Sequence, residues 1–338
     1  MSQNKEGNTY FLLTMDCERV PNKDFYPRGP LSWQESERNI IAFGETALEF
    51  GYKVTYFAVP EAVEQHADIF KGLINSGHEV GLHLHPHTFR FGINEHLANL
   101  PYDMQFKIIK EARDVFEGAM GFSPSNFRAG YFSANQDTFR ALVELGFKRG
   151  SSSIPGRQSL QSGNYWKDWP RHCRYVNSYF EVPLTVHYAN WAMFGIFCLQ
   201  SLLPLMVRGL LLSAGRKAIN LSKISSMLSQ RKNKILLDLR IDECEYSMLR
   251  EIILAEKRRM KEAKTFPIFN ALTHSHVNYT DHSHRKDEYG RSRKKCLKHL
   301  LDYLNNLQDI TIKSTTLGEL QNEYDRQEVP FDSDGLSS

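Results

Sequence analysis

Between residues 9 and 315, short apolar runs alternate with amphipathic stretches of helical period, and this alternation leaves the chain few folds. TYFLLTMD (9–16), KVTYFAV (53–59), HEVGLHLH (78–85), NFRAG (126–130) and FKRGSSS (147–153) read as strands. EVPLTV (181–186), KILLDLR (234–240), PIFNALTH (267–274) and DITIKS (309–314) continue the series. Strands separated by helical patterns build mainly parallel sheets covered by helices. Ser32 and Glu35 are spaced as a capping box, and Gly51 stops the helix that follows. Pro60 opens a second helix that Gly77 ends. The pattern predicts an α/β fold, a distorted (β/α) barrel of about seven to eight strands, with a doubly wound open sheet as the alternative. A chain of 338 residues, 41% of them hydrophobic, is long enough for one such barrel or for two ordinary domains. We expect a single barrel over 1–326 and a mobile tail at 327–338.

One segment breaks the alternation. Residues 191–215, WAMFGIFCLQSLLPLMVRGLLLSAG, are long and apolar, yet carry Gln200, Ser201, Pro204 and Arg208 inside a soluble α/β pattern. A membrane span needs roughly 20 mostly apolar residues, but a single span here would split the fold across a bilayer. The expectation is a helical insertion over 187–233. It either packs into the protein or lies on a membrane surface, with basic residues beside the apolar run. The formal charge of +3 is too small to argue for nucleic acid. Cys17, Cys173, Cys198, Cys244 and Cys296 are scattered and odd in number, which predicts reduced thiols rather than a disulfide scaffold. The polar opening and the short YFLL run predict no secretory signal. The expected location is therefore cytoplasmic, with possible peripheral contact at the inner face of a membrane.

Four clusters carry chemistry. Asp16 and Glu18 stand two apart at the end of the first strand, so both carboxylates point to one side and Cys17 to the other. Two adjacent carboxylates repel unless a cation or a proton relieves them. In HLHPH, His83, His85 and His87 recur at every second residue; three histidines in five residues suggest metal ligation. Pro86 biases His85 away from the helical region, and spacing alone leaves open which pair acts together. Arg128 ends a short strand, where it is placed to clamp a carboxylate through two hydrogen bonds. His274 abuts an apolar strand, a position suited to acid–base work, and His276 follows. His282 and His284 read as surface residues.

These residues and their order resemble the polysaccharide deacetylase (NodB-homology) family. GHEVGLHLHPH resembles its second motif, which implies His83 and His87 as metal ligands and His85 as a spacer. LTMDCE resembles the first motif in an acid-x-acid version, which implies Asp16 as catalytic base and Glu18 as ligand. FRAGYF resembles the third, whose arginine, here Arg128, orients the base; its usual proline is absent. LTHS resembles the last and implies His274 as the acid. WKDWP, with Asp168 and Trp169, is the candidate for the aromatic–aspartate motif.

The resemblance implies a metal-dependent hydrolase that removes an N-acetyl group from an amino sugar. The metal implied is divalent: zinc first, with iron, cobalt or nickel also suited to a His₂–carboxylate set. The expected substrate is an N-acetylated sugar or glycan, a precursor in surface-glycan or lipopolysaccharide assembly. Deformylation, cyclic-ureide hydrolysis and an inactive glycan- or metal-binding relative are the alternatives.

Overall fold

A computed structural model of the chain describes residues 8–21, 29–87, 93–159, 161–189, 235–281 and 292–326. The apolar segment 191–215, nearly all of the expected insertion, Cys198, His282, His284 and the tail lie outside the described residues.

The expected barrel is observed in curled, partly open form. β1 (Thr9–Cys17) is buried along its whole length. It pairs in parallel with β2 (Thr55–Ala58), β12 (Ile268–His274) and β13 (Ile312–Thr315). From β2 the sheet continues in parallel through β3 (Glu79–Leu84), β4 (Asn126–Ala129), β5 (Arg149–Gly150) and β9 (Tyr179–Glu181). β8 (Arg174–Val176) adds an antiparallel edge. Helices connect the strands: α1 (Trp33–Glu49), α2 (Pro60–Asn75), α3 (Tyr102–Met120), α4 (Gln136–Glu144), α5 (Tyr246–Ala263), α6 (Lys294–Asn305) and α7 (Leu317–Arg326). Continuous apolar strands are what a parallel sheet buried on both faces requires.

Local signals act where the spacing puts them. The Ser32 hydroxyl accepts from Glu35 N–H at 3.1 Å, while the Glu35 carboxylate reaches one residue further back, to Leu31 N–H. Pro60 is the first residue of α2, and Gly51 and Gly77 take positive φ just beyond their helices. Two expectations change. FKRGSSS is a strand only at Arg149 and Gly150, because the Ser151, Ser152 and Ser153 groups bond to Arg128, Ala129 and Glu181 instead. EVPLTV splits: Glu181 ends β9 and Val186 begins β10 (Val186–Ala189), which pairs antiparallel with β11 (Ile235–Asp238).

The stretch between them helps close the curl. Thr185 N–H donates to Asn270 O, Asn270 N–H donates to Thr185 Oγ1, and Leu272 N–H donates to Leu239 O. Buried Asn270 shares its amide N–H groups among Ser151 Oγ and the carbonyls of Val182 and Pro183. Two small ribbons carried no periodic signal and went unread: β6 (Gln158–Ser159) with β7 (Asn164–Tyr165), and β8 with β9.

Candidate active site

In a parallel barrel the C-terminal strand ends converge on one rim. β1, β3, β4 and β12 deliver Asp16, His83, Arg128 and His274 there, and register places Asp16 beside His274 and His83 beside Arg128. Asp16 and Glu18 are both buried. Ser275 N–H donates to Asp16 O, and Glu18 N–H donates to Ser275 Oγ at 2.9 Å, which ties the two strand ends together. Cys17 points into the apolar core. Burial, then the neighbouring Asp16 and Glu18 charges, push its thiol well up.

Arg128 is fully buried beneath the site, its guanidinium 4.2 Å from the centre of the Phe57 ring. It donates from Nη1 to Asp16 Oδ1 at 2.6 Å and to Thr14 Oγ1 at 3.0 Å. Nε and Nη2 donate to Ser151 O and Ser151 Oγ. The expected two-bond clamp is therefore a single charge-assisted bond, because the fork's other arm is spent on Ser151. Asp16 Oδ2 turns instead toward His83 Nε2, 3.8 Å away.

His83 Nδ1 lies 2.9 Å from the Arg128 carbonyl. That oxygen can only accept, so Nδ1 carries an N–H, and in the neutral ring the Nε2 lone pair faces the carboxylates. A backbone partner that fixes the tautomer in this way is typical of metal-binding histidines. His83 Nε2, His85 Nε2 and Glu18 Oε1 form a buried triad with separations of 3.0, 3.3 and 3.5 Å. Burial alone would raise the Glu18 pKa, but His85 and His83 outweigh it and hold the carboxyl well below the usual range. Burial alone would lower His83; Asp16 and Glu18 reverse it and raise the ring. A carboxylate and two imidazoles at this spacing suit one divalent ion. His87 is not part of this triad. Its ring stacks on Tyr131 at 5.4 Å and lies edge-on to His85; burial, then His85 and His96, push it down to about 4.

Across the rim, His274 Nδ1 is 2.6 Å from Asp242 Oδ2. Burial would lower His274, but Asp242 outweighs it and the ring is raised; Asp242 in turn is held down to about 2 despite its burial. His276 is also buried, its ring 5.2 Å from that of His274. Asp242 went unread in the sequence. Its signal was an acid just past the apolar run KILLDLR, near a strand end as Asp16 is in β1. WKDWP does not reach the site: Asp168 is exposed, and Trp169 stacks on Phe139 and meets Trp166 edge-on. Tyr131 and Phe132 both take positive φ just after β4, a conformation costing about 1 kcal/mol or more per non-glycine residue. Their carbonyls accept from Asn164 Nδ2 and Trp166 Nε1, which holds Tyr131 half-exposed at the rim.

The polysaccharide deacetylase family model matches residues 45–150. A search of curated proteins finds no match. Among solved structures, a protein from Mycobacterium smegmatis named as a polysaccharide deacetylase superposes with a TM-score of 0.58. It is 15% identical, over 100% of this chain and 97% of that one. A protein from Pseudomonas aeruginosa PAO1 named a probable polysaccharide deacetylase gives 0.56 at 12% identity, over 96% and 92%. The PuuE allantoinase gives 0.54 at 12% identity, over 95% and 91%. Identities this low establish a shared fold alone. The family match adds that residues 45–150, which contain the histidine and arginine motifs, are similar in sequence to the polysaccharide deacetylase family.

Proposed function

We propose that the chain is a divalent-metal-dependent N-deacetylase of an N-acetylated amino sugar, with zinc the first choice of ion. The observation that carries this reading is a pair of groups facing one metal-suited triad. Asp16 and His274 stand in register on neighbouring parallel strands, each clamped by an opposite charge, Arg128 and Asp242. A divalent ion held by Glu18, His83 and a second histidine supplies Lewis acidity toward an amide carbonyl and lowers the pKa of a nearby water. Arg128 fixes Oδ1 of Asp16, which leaves Oδ2 to take the proton of the attacking water. His274, kept protonated by Asp242, gives a proton to the departing amine nitrogen. Acetate and a free amino sugar result.

Acetate release from N-acetylhexosamine substrates by metal-replete protein tests the reading. Asp16→Asn should lower turnover about 10²–10⁴-fold while metal content stays the same; wild-type turnover in this variant rules out Asp16 as base. Formate release in place of acetate would move the same machinery to a formylated sugar. We further propose that the chain is one barrel over 1–326. Its substrate is a surface-glycan precursor met in the cytoplasm or at the inner face of a membrane. Among the described residues, no helix is long and apolar enough to cross a membrane.

A further inference from the structure

The geometry points to His85, rather than His87, as the third protein donor to the metal, admitted to that position by Gly130. This inference rests on the metal-dependent reading above and concerns which residues of this chain build the site.

Positions 83 and 85 are two apart along an extended run, so their rings share a face. Nε2 of His83, Nε2 of His85 and Oε1 of Glu18 form a triangle with sides of 3.0, 3.3 and 3.5 Å. The circle through these atoms has a radius of about 1.9 Å, just under the bond lengths of about 2.0–2.2 Å that zinc makes to nitrogen and oxygen. One point slightly above the triangle is therefore at bonding distance from all three atoms. His87 takes no part: it lies against Tyr131, with His96 5.7 Å away.

His85 reaches the triangle only because residue 130 lacks a side chain. A Cβ built on Gly130 would lie 2.4 Å from His85 Nδ1 and 2.6 Å from Cε1 and Cγ. Those atoms belong to the ring that meets Glu18 at 3.3 Å, so a methyl at residue 130 has to displace the ring from that position. Gly130 stands two residues after Arg128, on the neighbouring strand end. The residue that selects the metal donor thus comes from a different strand than the donor itself.

The test is titration of chelator-treated protein with Zn²⁺ and Co²⁺ by calorimetry, with elemental analysis of the loaded protein. Wild type should bind one ion per chain. His85→Ala should weaken binding by more than the roughly 10–100-fold typical of residues that merely support a ligand; His87→Ala should weaken it less than about tenfold. Gly130→Ala should weaken binding as His85→Ala does and lower the melting temperature. In a His85→Ala background the same methyl enters vacated space, so its thermal penalty should vanish. That double variant carries the test if Gly130→Ala alone fails to fold. Metal retained in His85→Ala but lost in His87→Ala overturns this inference and leaves the metal-dependent reading standing. So does an equal Gly130→Ala penalty in both backgrounds. A wild type that binds no divalent ion removes both.

Discussion

At the scale of single residues, the site consists of charges that hold one another. Arg128 serves both sides of it: its guanidinium fixes Asp16 while its carbonyl fixes the tautomer of His83. Asp242 and His274 are the matching pair. Replacing Asp242 by Asn removes the anion that raises His274, so burial then dominates and the ring's pKa falls. An acid works only when protonated, so the basic limb of the kcat/KM profile should move to lower pH, and activity should suffer more at pH 8 than at pH 6. A uniform loss with an unmoved limb would give Asp242 a structural role only. His274→Ala should lower kcat with metal content retained; if His276→Ala does so instead, His276 is the acid. Of these residues, Asp16, Glu18, His83, Arg128 and His274 were legible because each ends an apolar strand. Asp242 lies in the turn beyond β11, after the apolar segment that interrupted the α/β pattern, and nothing local marked its partner.

At the scale of elements, the stretch between β5 and β10 joins the sheet to the site. Asn270 on β12 bridges Ser151, Val182 and Pro183, and Ser151 holds the Arg128 fork. Asn270→Leu strands these buried acceptors at about 1–3 kcal/mol in unfolding free energy, readable by urea denaturation with an unchanged m-value. A cost under 0.5 kcal/mol would mean the bridge is dispensable. Glu181 is the other anchor. Its Oε1 accepts from Ser152 N–H, Ser153 N–H and the Ser153 hydroxyl, while Oε2 has no hydrogen-bond partner among the described residues. Burial, only partly offset by these bonds, pushes its pKa from 4.5 up to about 7. The folded chain therefore holds this proton more tightly than the unfolded chain, and the group's stability contribution falls as pH rises from 4.5 to 7. Glu181→Gln should gain on the wild type across that window by up to roughly 3 kcal/mol. A pH-independent difference between the two would refute this.

At the scale of the whole molecule, the fold places the proposed acid, base and metal donors on one rim. The apolar run 191–215 lies outside the described residues, and its proposed role is contact with a membrane surface or a lipid-linked substrate. Lys217, Lys223, Arg231, Lys232 and Lys234 would add roughly 1 kcal/mol each near anionic lipid, an attraction that salt weakens. Sedimentation with anionic and neutral liposomes at low and high salt checks this. Protein that stays in the supernatant throughout, with Leu210, Leu211 and Leu212 replaced by Ser only destabilising it, makes the segment core.

By itself the sequence determined what is local. Short apolar runs, helical patterning, caps and glycine stops set the strands and helices, and each motif's position at a strand end set which side chains reach the rim. Tertiary structure decided what depends on two distant segments meeting. Arg128 spends one arm of its fork on Ser151, Asp242 meets His274 across 32 residues, and the His85 ring sits where Gly130 leaves space. The spacing in HLHPH is compatible with more than one pair of donors, because side-chain direction follows from local period but the space a ring can occupy is set by the neighbouring strand.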